Sequence, residues 1–182
     1  QHKTHVRKGT TIPYLIHLQE VTTLLFRMKA STEQVCAGYL HDTLEDTLYT
    51  PQELLDDFGQ EIYDLVDFCS EDMQTKGPAH SPDTWKRRKK GVLEKAKTAT
   101  IDQLVVLFAD KYCNLNSFVR EKIEEGDNFW DRFNGPSEEQ YWFYSSLGAT
   151  FKRELGNDKK YTTLLQEYDD KIMHLWPAKH LD

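Results

Sequence analysis

Four side chains able to ligate a metal sit on or beside apolar helical stretches of the chain: His17, His41, Asp42 and Asp110. A carboxylate buried without a partner costs several kcal/mol, so Asp42 and Asp110 need a cation or strong donors if they lie inside the fold. One shared ion would satisfy all four residues at once. Two imidazoles with two carboxylates form a mixed nitrogen and oxygen set suited to Mn²⁺, Fe²⁺, Co²⁺ or Zn²⁺, with Mg²⁺ as a further candidate, and such a set leaves positions for water and substrate. Mn²⁺ is the expected ion. Taken singly, each residue has a plainer use: His17 as a hydrogen-bonded core histidine, His41-Asp42 as a polar pair at a helix end, Asp110 as a buried partner for Lys or Arg. Taken together they favour the shared ion.

Helices have to bring these four residues together. Helix start signals recur along the chain and alternating β patterns are scarce, which predicts an all-α helical bundle. A first helix starts near Pro13, and Tyr14, His17, Val21, Leu24 and Met28 step by three and four, placing His17 on the core-facing stripe. Ser31 with Gln34 makes a capping box for a second helix through Val35, Ala37 and Leu40, which runs into His41-Asp42-Thr43-Leu44-Glu45-Asp46-Thr47. Thr50, Pro51 and Glu53 open a short helix that Gly59 ends, and another follows through Ile62, Leu65, Val66 and Cys69.

Residues 70–84 hold Gly77, Pro78, Ser81 and Pro82 among polar neighbours and read as a mobile surface loop that could act as a lid. The basic stretch Trp85 to Lys97 leads to a long helix opened by Thr100 and Gln103, with Asp110 in its apolar part. Gly135-Pro136 marks a fresh helix start in a segment rich in aromatics, and Asn157 is expected to cap a last helix through Tyr161, Leu164, Leu165, Tyr168 and Ile172.

The 182 residues suit one domain spanning 1–182, long enough to bury a core. A net charge of -7 argues against a general nucleic-acid binder, which usually carries net positive charge. Within that acidic chain, Lys86, Arg87, Arg88, Lys89 and Lys90 concentrate positive charge that could steer a polyphosphate, although a solvated helix face is the plainer use. The three cysteines, Cys36, Cys69 and Cys113, are widely spaced and read as reduced, buried thiols. Without a membrane-spanning run or a leader ahead of the first motif, a cytoplasmic protein with no membrane partner is expected. Gln1 stands directly before a basic cluster, and a short upstream helix is expected to be missing. Oligomeric state is not readable from the residues.

The order His17, His41-Asp42, Asp110 resembles the HD superfamily of metal phosphohydrolases. The HD dipeptide is common by chance, and the strings around it are more specific. Arg7-Lys8-Gly9 with Pro13-Tyr14-Leu15-Ile16-His17, Leu40 to Thr47, Phe58-Gly59, and Ala109-Asp110-Lys111-Tyr112-Cys113-Asn114-Leu115 resemble the hydrolase domain of RelA/SpoT homologues, above all the stand-alone small alarmone hydrolases of the stringent response. The resemblance covers Arg7 to Leu115. It implies a Mn²⁺ site of His17, His41, Asp42 and Asp110, with Glu45 and Asp46 orienting or deprotonating the attacking water.

By the same resemblance, Arg7 and Lys8 face the nucleotide base and phosphates and Asn114 the sugar and phosphate; Lys111, next to Asp110, either reaches a phosphate or stays on the surface. Tyr144, an aromatic that packing would also explain, is a candidate wall of the substrate pocket. The implied activity is release of pyrophosphate from the 3′ position of guanosine tetra- or pentaphosphate (ppGpp and pppGpp). The chain is too short for the nucleotide-synthesising domain of long members, so hydrolysis is the one activity expected. Two departures stand out. Leu18 follows the metal histidine where these hydrolases usually place proline, and the segment after Cys69 lacks their valine-threonine turn. They leave two alternatives open: an HD-type nucleotidase or phosphatase acting on another nucleotide, and an inactive nucleotide-sensing module.

Overall fold

Helix capping by short polar side chains sets the starts of three α-helices in the computed structural model, which describes residues 4–71 and 82–177. The α-helices are α1 (Tyr14–Arg27), α2 (Thr32–Leu40), α3 (Thr43–Asp46), α4 (Pro51–Cys69), α5 (Pro82–Lys97), α6 (Ile101–Glu125), α7 (Ser137–Leu155) and α8 (Thr162–Leu175). Among the described residues there is no strand, only an isolated antiparallel bridge between Val6 and Pro13. The fold is all-α, as the helix signals predict.

Both predicted capping boxes ahead of α2 and α4 form: Ser31 exchanges bonds with Gln34, and Thr50 with Glu53. Thr100 and Gln103 do the same ahead of α6. Satisfying the orphan N–H groups of a helix start in this way stabilises it by about 1 kcal/mol. Gly59 bends α4 with a φ of 82°, left-handed backbone that glycine adopts without a Cβ clash. The two helices expected on either side of it are therefore joined across a kink.

Two expectations change. Asn157 lies in a turn and does not cap α8. Its neighbour Asp158 accepts the N–H of Lys160 and caps a 3₁₀ turn, Lys159–Tyr161, so α8 starts only at Thr162. Pro82 opens α5, which takes residues 82–84 out of the expected 70–84 loop; residues 72–81 of it lie outside the described residues.

The described residues group into two compact units. α1 to α4 and α6 as far as Asp110 make the first; α5, α6 from Lys111 onward, α7 and α8 make the second. The core of the first gathers Ala37, Leu44, Leu54, Leu65, Val66 and Val106, each burial of a large apolar side chain stabilising by about 1.5–3 kcal/mol. α1 and α2 approach closely at Gly38, where an added Cβ would come 2.5 Å from Leu25 Cδ1. In the second unit Phe118 is a hub, its ring 5.0 Å from Phe133 and 5.6 Å from both Trp130 and Tyr144. Cys113 is buried, whereas Cys36 and Cys69 are only half-buried, so the expectation of three buried thiols holds for one.

Candidate metal centre

His17 projects from the buried stripe of α1 and is 1% exposed. Its Nε2 lies 3.2 Å from Oδ1 of Asp110, which α6 contributes from its apolar part. His41, also 1% exposed, sits at the C-cap of α2. Its Nδ1 is 2.9 Å from the Gly38 carbonyl oxygen, which can only accept, so Nδ1 carries the proton and donates it. That bond fixes the ring and turns Nε2 toward the carboxylates, 2.8 Å from Asp42 Oδ2 and 3.7 Å from Asp110 Oδ1. Ligand atoms of His17, His41 and Asp42 all fall within 4.8 Å of one another. Helices α1 and α6 and the α2–α3 junction thus bring together the four residues that the sequence singled out.

Burial and the cluster's own charges shift its titrating groups in opposite directions. Burial works against a charged His41, but the Asp42 and Asp110 carboxylates outweigh it and push the ring up to about 9. Burial would raise the Asp42 carboxyl, yet His41 beside it holds the group well below the usual carboxylate range. For His17 burial wins over Asp110, and the imidazole is pushed down, toward the neutral form a ligand needs.

The residues fit a divalent ion. His41 Nε2 is buried and makes no aligned hydrogen bond although a carboxylate oxygen stands 2.8 Å away. Close approach without hydrogen-bond alignment is the arrangement of ligands gathered around a common point, and a set of two imidazoles and two carboxylates accepts a borderline divalent cation.

The acids follow directly. α3 starts from Asp42, whose carbonyl accepts the N–H groups of Glu45 at 3.2 Å and Asp46 at 2.9 Å. This one-turn helix keeps both acids within a few residues of the cluster. Glu45 is half-buried and its Oε1 accepts the Glu71 main-chain N–H at 2.6 Å, while Asp46 is exposed. Arg7 and Lys8 lie on the loop before α1, where Arg7 N–H donates to the Ile12 carbonyl and the Arg7 carbonyl accepts from Thr10. Lys111, Asn114 and Tyr144 belong to the second unit. There Lys111 Nζ lies 6.0 Å from the centroid of the Phe143 ring, and Tyr144 is 5% exposed, its ring packed edge-on against Phe118 and Phe143.

Sequence reasoning missed Tyr14 as a polar partner. Its hydroxyl donates to Asp42 Oδ2, the oxygen nearest His41. Tyr14 stands three residues before His17 on the same stripe and reads as packing; only the Pro13-Tyr14 placement at the helix start hints that its tip can turn back toward the cluster.

The HD domain model matches residues 1–130. A GTP pyrophosphokinase of Streptomyces coelicolor is 34% identical over 128 residues, covering 68% of this chain and 14% of the relative. The guanosine-3′,5′-bis(diphosphate) 3′-pyrophosphohydrolase of Haemophilus influenzae is 29% identical over 105 residues, 58% of this chain and 15% of the relative. The chain therefore spans only about a seventh of either relative. Among solved structures, the lmo0812 protein of Listeria monocytogenes superposes with a TM-score of 0.76 at 27% identity, covering 88% of this chain and 99% of that one. A metazoan orthologue of SpoT, described as hydrolysing ppGpp, shares the fold with a TM-score of 0.66 at 19% identity, covering 100% and 90%. No helix among the described residues is long and apolar enough to cross a membrane. With a matching family model over most of its length and the helical fold to go with it, this chain belongs to the HD-domain family.

Proposed function

We propose that this chain is a metal-dependent phosphohydrolase that removes pyrophosphate from the 3′ position of guanosine tetra- or pentaphosphate, leaving GDP or GTP. The observation behind this reading is the convergence of His17, His41, Asp42 and Asp110 on one buried spot, with Glu45 and Asp46 on the helical turn that starts there. The names of the relatives support the substrate class: by those names, the Haemophilus and Streptomyces proteins both handle a guanosine nucleotide and a pyrophosphoryl group. The metazoan orthologue of SpoT is described as hydrolysing ppGpp itself.

His17, His41, Asp42 and Asp110 are the proposed ligands, and Mn²⁺ the proposed ion. A divalent cation held there would supply a more acidic water and neutralise charge on the phosphoryl group. In the reaction, water oxygen joins the phosphorus attached to the 3′ oxygen, and its proton passes to Glu45 or Asp46. The P–O3′ bond breaks, and the proton taken up by the acid is returned to the departing 3′ oxygen, giving a 3′ hydroxyl, free pyrophosphate and the restored carboxylate. Arg7 stacks its guanidinium on the base and pairs with phosphate, and Lys8 adds charge to the same loop. On the resemblance Asn114 is assigned to sugar and phosphate; Lys111 is assigned to a phosphate from its place next to Asp110, and Tyr144 to the pocket wall as one of the aromatics of its segment.

The test is a nucleotide panel followed for pyrophosphate and orthophosphate, run on protein whose metal content has been measured. Guanosine tetraphosphate should give GDP and pyrophosphate. Orthophosphate released from other nucleotides instead would make the chain a nucleotidase, and a metal-free, inactive protein would make it a sensing module.

A further inference from the structure

Tyr14 makes three separate connections within the first unit. Its main-chain N–H donates to the His5 carbonyl at 2.8 Å, closing the loop that holds Arg7 and Lys8. Its ring tilts against His17 with centroids 5.5 Å apart. Its hydroxyl donates to Asp42 Oδ2. The same oxygen stands 2.8 Å from His41 Nε2, so the phenol fixes the rotation of the Asp42 carboxylate at the point where that group meets the histidine pair.

We propose that Tyr14 is a positioning residue for the metal centre: it holds the Asp42 carboxylate in one orientation and ties that orientation to the loop bearing Arg7 and Lys8. This rests on the reading of the four-residue cluster as the metal site. A carboxylate has two equivalent oxygens and turns about χ2 unless a neighbour restrains it. Left unrestrained, it presents either oxygen or both, and ordering it becomes part of the cost of ion binding. Outer partners of this kind change metal affinity about 10–100-fold in other sites. Phenylalanine at position 14 keeps the ring against His17 and the main-chain bond to His5, and removes only the hydroxyl. The loop stays in place, so the substrate contacts of Arg7 and Lys8 stay with it.

The experiment is titration of Mn²⁺ alone into chelator-stripped protein by calorimetry, on wild type, Tyr14→Phe and Tyr14→Leu, with Leu15→Ala as a surface control. Tyr14→Phe should bind Mn²⁺ at least about tenfold more weakly than wild type. Its kcat should fall with KM little changed, and Leu15→Ala should match wild type. Tyr14→Leu, which lacks both ring and hydroxyl, separates the two contributions. Equal loss in both variants assigns the effect to the hydroxyl. Wild-type binding in Tyr14→Phe overturns the proposal and leaves the metal site standing, whether or not Tyr14→Leu binds. A wild type that takes up no Mn²⁺ overturns the metal-site reading and the proposal with it.

Discussion

His41 donates its Nδ1 proton to the carbonyl of Gly38, 2.9 Å away and one turn back on the same helix. Gly38 is also where α2 packs against Leu25 of α1, with no room for a Cβ. The residue that orients the histidine is thus the residue that sets the spacing of the two helices. Gly38→Ala should destabilise the protein by about 1–3 kcal/mol in urea unfolding, since Leu25 is fully buried and has to shift. The same shift moves the His41 acceptor, so Mn²⁺ affinity should fall in the same variant.

Removing a ligand tests the cluster directly. Asp42→Ala and Asp110→Ala should each lose Mn²⁺ binding and turnover together, read by calorimetry and by pyrophosphate release. Full turnover in either variant would remove that residue from the metal site.

Glu45 separates chemistry from binding. Glu45→Gln keeps an oxygen to accept the Glu71 N–H but cannot take a proton. It should bind Mn²⁺ as wild type does and lose about 10²–10⁴-fold in kcat, the usual contribution of a general base. A variant with near-full kcat would take Glu45 out of the mechanism.

The metal-free protein should show a distinctive pH dependence. His41 is pushed up to about 9 from an ordinary value near 6.5, so the stability it contributes is complete below about 6.5 and is lost as pH rises through 9. His17 is pushed down and acts in the opposite sense, costing stability only as pH falls below 6.5. Between 6.5 and 9, urea midpoints of chelated protein should therefore decline. With Mn²⁺ present the trend should flatten or reverse, because the ion needs both imidazoles neutral and competes better as protons leave. Parallel declines with and without the ion would argue against His41 as a ligand.

Phe118 tests the second unit. It is 5% exposed and packs against Phe129, Trp130, Phe133 and Tyr144, so Phe118→Ala should cost about 3–5 kcal/mol in unfolding free energy.

The sequence makes the His and Asp cluster legible because a histidine on an apolar stripe and an aspartate inside an apolar helix conflict with their surroundings, and the conflict has few resolutions. The capping boxes are legible because they are local: Ser31 and Gln34, or Thr50 and Glu53, meet across three residues. The bond from Tyr14 to Asp42 spans 28 residues, and nothing at either position announces it. Nor does the apolar run of α6 mark where its packing passes from one unit to the other at Asp110, because Leu107, Phe108, Tyr112 and Leu115 continue the same helical period on both sides. At Asn157 two adjacent cap-competent residues competed, and the turn geometry chose Asp158.

One restraint on Glu45 comes from the peptide backbone of residue 71. An amide hydrogen is supplied by every amino acid except proline, so this restraint leaves no signature in residue identity. The main-chain donor survives any change of side chain at position 71 except proline, and Glu71→Pro is the one substitution that would withdraw the donor itself.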